Sequence, residues 1–136
     1  LGRAAYLSGH EVKNVEPMQV VRYEPGEFYG NHHDWFDKCE GGPEAFSLAQ
    51  RHVTFLVYLN DMEEGDTGGH TDFPRLKVRV PPRRYSAVVF NDCFDDGAID
   101  WLTEHAGLPP SAGIKYAINI WIQSDEYNAR DSIMMV

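Results

Sequence analysis

Arg51-His52-Val53-Thr54-Phe55-Leu56-Val57-Tyr58-Leu59-Asn60 is the longest and most apolar of the extended segments in this chain. Its β-branched and aromatic residues read as a strand buried on much of both faces, and therefore as the centre of a sheet. Shorter segments with turn chemistry between them lie on either side. Met18 to Tyr23 is one, closed by the turn Glu24-Pro25-Gly26. Asn31 to Phe36 is a second, Gly68 to Phe73 a third, and Lys77 to Val80 alternates charge with valine until Pro81-Pro82 stops it. Tyr85 to Phe90, Trp101 to Ala106 and Tyr116 to Ile122 follow. In the last, Ala117, Asn119 and Trp121 share one face, and Tyr116, Ile118, Ile120 and Ile122 the other. About eight strands without a long helix predict an all-β core folded as a two-sheet jelly roll or barrel, which removes exposed edges. Only Leu1 to Ser8 reads as helical.

With 136 residues, 43% hydrophobic and 12% aromatic, the chain fits a single domain spanning residues 1–136. A net charge of -9 argues against nucleic acid or an anionic membrane surface as partner, because both are bound through clustered Lys and Arg. No apolar run approaches the roughly 18 residues of a membrane-spanning helix. Leu1 in place of an initiator Met leads us to expect sequence upstream of it, with any targeting signal. Cys39 and Cys93 fit either one bridge or two thiols, so the compartment and the oligomeric state stay open.

The chemistry-bearing residues are His32-His33-Asp34 and, some seventy positions later, His105 followed by Lys115. On an extended segment, His32 and Asp34 point to the same face and can share one metal ion. His105 would complete two imidazoles and a carboxylate on one side of the ion, the facial arrangement of non-haem Fe(II) oxygenases. Lys115 then offers a positive charge to an anionic co-substrate. His33 is expected on the opposite side of its strand, as a packing residue or one that supports the ligands without binding metal, and His52 and His70 are not first-choice ligands. A competing set of His33 with Asp37 needs helical spacing, which Trp35 and Phe36 disfavour. Lys38 to Gln50 reads as a lid or as a plain solvated loop. The acidic Asp61, Glu63, Glu64 and Asp66 either face basic substrate residues or are simply solvated.

These elements resemble the catalytic domain of the prolyl 4-hydroxylases, Fe(II)- and 2-oxoglutarate-dependent dioxygenases. The resemblance rests on Glu16 to Gly26, Tyr29 with His32-His33-Asp34, and Arg51 to Asp61. It continues through Gly68-Gly69-X-Thr71-X-Phe73-Pro74, Ser86-Ala87-Val88, and His105 ten residues before Lys115 with Trp121 beyond. It spans about residues 16 to 123, and a series of ordered elements is far more specific than one His-X-Asp. It implies a double-stranded β-helix, cupin-like, preceded in the family by helices that this chain almost wholly lacks. It also implies His32, Asp34 and His105 as iron ligands and Lys115 as the anchor of the distal carboxylate of 2-oxoglutarate. Tyr23 and Thr71 would add hydrogen bonds at that end, and Trp121 would shape the pocket wall. The implied reaction consumes O2, with ascorbate as reductant, and releases succinate and CO2.

On the substrate side, Arg51 matches the family's arginine. Gln123 stands where many prolyl hydroxylases carry histidine two positions after the matched tryptophan; it can donate to a peptide carbonyl but carries no charge. Three readings therefore stand: an oxygenase acting on peptidyl proline, a related oxygenase acting on another protein side chain or a small molecule, and a non-catalytic jelly roll that binds metal. For a eukaryotic prolyl 4-hydroxylase the expected location is the endoplasmic reticulum or secretory pathway.

Overall fold

The computed structural model describes residues 1–36, 50–94 and 96–127. Among these residues, eight strands follow one short α-helix, α1 (Gly2–Ser8). They are β1 (Gln19–Tyr23), β2 (Tyr29–His32), β3 (Arg51–Tyr58), β4 (Thr71–Phe73), β5 (Val78–Val80), β6 (Ala87–Asn91), β7 (His105–Gly107) and β8 (Lys115–Gln123). They form two four-stranded antiparallel sheets, ordered β1-β8-β3-β6 and β2-β7-β4-β5, which is the expected jelly roll.

The apolar run of β3 lies inside the first sheet, between β8 and β6. Its alternation separates two cores. Val53 and Phe55 pack with Ile120 and Ile122 of β8 on the outer face, beneath Ala4 and Ala5 of α1 and Val15. Leu56 and Tyr58 turn inward with Ala117. The outer face is not wholly covered, since Val20 on β1 and Val89 on β6 remain exposed at 64% and 50%.

Turn residues behave as their chemistry requires. Gly26 takes φ 86° while Glu27 N–H donates to Glu24 O at 3.0 Å, the turn that separates β1 from β2. Gly68 sits against the 109–111 backbone, where a Cβ would lie 2.1 Å from Pro109 O. The Gly68-Gly69 pair thus lets two loops touch.

Two strand expectations need correction. Asn31 to Phe36 is not one strand: β2 begins earlier and ends at His32, and Asp34 and Trp35 lie in a bend. The chain leaves the second sheet there, bringing Asp34 to Thr54 and Trp121 of the first. Trp101 to Ala106 is likewise not continuous strand. Asp100 caps a 3-10 turn over Trp101–Thr103, its Oδ1 accepting from Leu102 N–H at 2.9 Å, and β7 starts only at His105. Cys39 and most of the Lys38–Gln50 segment, with Asp37, lie outside the described residues.

Candidate metal centre

His32 and His105 come from β2 and β7, where they are direct cross-strand partners, after a register irregularity that follows Tyr29. Their ring centroids are 4.2 Å apart. Each Nδ1 is tied to a nearby backbone carbonyl, His32 to Gly30 O at 2.8 Å and His105 to Thr103 O at 2.9 Å. Such bonds fix the ring orientation and leave Nε2 as the atom that could bind a metal. His32 Nε2 lies 3.5 Å from Asp34 Oδ1, and His105 Nε2 lies 3.8 Å from Asp34 Oδ2.

One ligand atom from each of the three residues falls within 4.8 Å of the other two, the one such cluster among the described residues. The donor set suits Fe(II), with positions left open for exchangeable ligands. Burial alone would raise the Asp34 carboxyl. The bond to His32, the nearby His105 imidazole and hydrogen bonds from Trp121 and Thr54 overcome it and hold the group below the usual carboxylate range. A carboxylate kept ionised suits a metal ligand. Burial pushes the His105 imidazole down, which favours the neutral ring that binds metal.

The three side chains open onto a cavity of about 400 Å³ that Lys115, Tyr23 and Thr71 also line. Lys115 is 2% exposed, and no carboxylate or hydrogen-bond acceptor meets its ammonium among the described residues. Its Nζ stands 5.6 Å from the ring centroids of both Tyr23 and Tyr58. Burial pushes the amine down to about 8. A buried cation without a counter-charge is costly, so the cavity is built to receive an anion. Tyr23 is the register partner of Lys115, and Thr71 is bonded to Tyr58 Oη at 2.8 Å.

Residues 18–123 match the sequence profile of the 2OG-Fe(II) oxygenase superfamily. The chain belongs to that superfamily. Among solved structures, this 2OG-Fe(II) oxygenase domain resembles the 2OG complex of a viral collagen prolyl hydroxylase from Paramecium Bursaria Chlorella virus-1. The identity is 34%, the TM-score 0.75, and the match covers 91% of this chain and 69% of the other. Prolyl 4-hydroxylase 13 of Arabidopsis thaliana is 31% identical over 83% of the chain and 44% of its own length. The human prolyl 4-hydroxylase subunit alpha-1 is 34% identical over 85% of the chain and 21% of its own length. The chain thus spans less than half the length of these two relatives.

The oxygenase domain places the two substrate-side candidates differently. Arg51 lines the cavity, but its Nε and Nη2 are held by Glu16 at 2.8 and 2.9 Å. Its guanidinium is stacked 3.7 Å over Trp121 and 4.6 Å over Phe36. Gln123 is buried, and its Nε2 donates to Glu16 Oε1 at 3.0 Å. Glu16 therefore engages both side chains, a partnership no local motif announces. Trp121 does more than wall the cavity: its Nε1 donates to Asp34 Oδ2 at 3.0 Å. His33 packs against Trp35 and Trp101, with ring centroids 5.2 and 5.3 Å away.

The acidic loop also has a structural task. Asp66 accepts from the N–H groups of Gly68, Ser111, Ala112 and Gly113 and from Ser111 Oγ, at 2.6 to 3.2 Å. Neither solvation nor substrate contact describes this residue. It clamps the loop that leads into β8.

Proposed function

We propose that this domain is a 2-oxoglutarate-dependent dioxygenase that hydroxylates proline in a peptide or protein. The observation that carries the reading is one cavity holding both the His32-Asp34-His105 cluster and the buried ammonium of Lys115, which has no counter-charge among the described residues. The three ligands would hold Fe(II). Lys115, beside Tyr23 and Thr71, would hold the distal carboxylate of 2-oxoglutarate through charge-assisted hydrogen bonds. When bound, iron and 2-oxoglutarate supply the oxidising chemistry: O2 is consumed, succinate and CO2 leave, and one oxygen atom enters a C–H bond. Ascorbate would act as reductant for the iron.

The residues of the chain orient rather than react. Trp121 and Thr54 fix Asp34, the backbone carbonyls of Gly30 and Thr103 fix the imidazoles, and Arg51 packs over Trp121. A peptide substrate is supported by the relatives, whose names describe prolyl hydroxylases. A second reading, an oxygenase of another protein side chain or a small molecule, is favoured by Gln123, whose amide is turned toward Glu16.

The test is a coupled assay of succinate formation with Fe(II), 2-oxoglutarate and ascorbate, comparing a proline-rich peptide with a panel of free amino acids. Peptide-stimulated succinate and a mass increase of one oxygen on proline are expected. Stimulation by free amino acids alone would favour the second reading, and no succinate under any condition would overturn both. His32→Ala is expected to abolish turnover.

A further inference from the structure

Thr54 Oγ1 lies 2.9 Å from Asp34 Oδ2 and 2.9 Å from Asp92 Oδ2. A threonine hydroxyl has one hydrogen to donate and lone pairs with which to accept. It cannot donate to both carboxylates at once. One of the two must itself supply a proton, or a lone pair faces a lone pair in a buried site.

The surroundings decide which. Asp34 accepts a second hydrogen bond from Trp121 and faces both histidines, contacts that favour its ionised form. Asp92 is 0% exposed, and among the described residues its Oδ1 has no hydrogen-bond partner. A full negative charge there would be buried with half its acceptor capacity unmet, whereas a neutral acid leaves only one carbonyl oxygen unsatisfied. Among the described residues, the charged groups facing it are Asp34, Glu16 and Arg51. Backbone bonds hold it in place: Asp92 N–H donates to His52 O at 2.8 Å, and Asp100 N–H donates to Asp92 O at 3.0 Å.

We infer that Asp92 is a neutral carboxylic acid that donates to Thr54, so that the Thr54 hydroxyl is aimed at Asp34 and holds the metal-binding carboxylate in place. Asp92 is a positioning residue, acting through Thr54 and touching neither metal nor substrate. Burial and the nearby Asp34 charge agree with this, since together they push the Asp92 carboxyl up to about 8. The inference rests on the proposed role of Asp34 as a metal ligand, but its first test needs neither iron nor turnover.

That test is infrared spectroscopy of the metal-free full chain at neutral pH. A protonated carboxylic acid band is expected in the native protein and is expected to be absent in Asp92→Asn. No such band in the native protein, or a band that persists in Asp92→Asn, overturns the assignment. It can stand even if the protein shows no oxygenase turnover, so the two proposals fail separately.

The second test is titration with Co(II). Asparagine keeps the donor to Thr54, so Asp92→Asn should bind within about 3-fold of native. Asp92→Leu removes the donor and should weaken binding by about 10- to 100-fold, the usual cost of losing such an outer partner. Equal weakening in both variants, or native affinity in Asp92→Leu, counts against the proposal. Should Asp92→Leu not fold, Asp92→Asn and the infrared band still decide it.

Discussion

The indole Nε1 of Trp121, on β8 of the first sheet, donates to Oδ2 of Asp34, which follows β2 of the second. That bond ties the carboxylate in the bend to a rigid strand across the jelly roll. Trp121→Phe keeps the ring under Arg51 and removes only this donor. Metal affinity is expected to fall about 10-fold with the fold retained, read by Co(II) titration alongside circular dichroism. Unchanged affinity would show that Thr54 alone suffices to hold the carboxylate.

Lys115→Ala removes the cation from the cavity and leaves the three ligands in place. The 2-oxoglutarate requirement should rise at least about 10-fold, while Co(II) affinity changes little. Equal loss of both would mean that Lys115 supports the fold rather than the co-substrate.

The same amine predicts a pH dependence for the native domain. Burial lowers it to about 8, so in the ligand-free protein it loses its proton as pH rises through that value. Binding of the dianion should weaken above about pH 8, measured by calorimetry with Co(II) in place of iron. For stability the sign is opposite: between about 8 and the ordinary value of 10.5 the unfolded chain binds more protons, so folding becomes more favourable with rising pH. Constant affinity from pH 7 to 9.5 would remove the lysine from the binding step.

Asp66 connects its own loop to residues 111–113, and these bonds hold its carboxyl below the ordinary carboxylate range. A depressed acid contributes stability that is present above the unfolded value of about 3.9 and lost as pH falls through the folded value. Asp66→Ala should cost about 1 kcal/mol at neutral pH, a modest figure because solvent reaches the group. Urea unfolding at pH 7 and pH 3 checks this: the gap between native and variant should narrow at the lower pH. A gap that persists undiminished would assign the effect to packing.

Arg51→Lys tests whether Arg51 serves through its shape. Lysine keeps the charge but loses the paired contact with Glu16 and the flat stacking on Trp121. Stability should drop by about 2 to 4 kcal/mol, since a buried carboxylate is left poorly paired. Denaturant midpoints near native would show that charge alone satisfies Glu16.

Period-two alternation made the sheet legible. The β3 run and the alternation of β8 identified the inner and outer faces, because side-chain direction on a strand follows from position alone. His32, Asp34, His105 and Lys115 were legible as a set through spacing and resemblance, and the structure brings all four to one cavity. Local pattern failed at Asp34, where extended residues hide a bend made to reach the other sheet, and at Trp101, where the Asp100 cap outweighs strand-forming residues. The partnerships of Glu16 with Arg51 and Gln123, and of Thr54 with Asp92, join residues 35 or more positions apart, except that the Thr54–Asp34 bond spans only 20. Such contacts leave no periodic trace.

Because β8 presents Lys115 and Trp121 inward from one uninterrupted ladder, both depend on the same pairing frame with β3 and β1. One added residue near the start of the strand would shift that frame and turn an inward set outward. Buried cation and carboxylate brace would then be lost together, although neither codon had changed. Insertions and deletions here are therefore far more damaging than most substitutions, and length variation is better tolerated in the connecting loops.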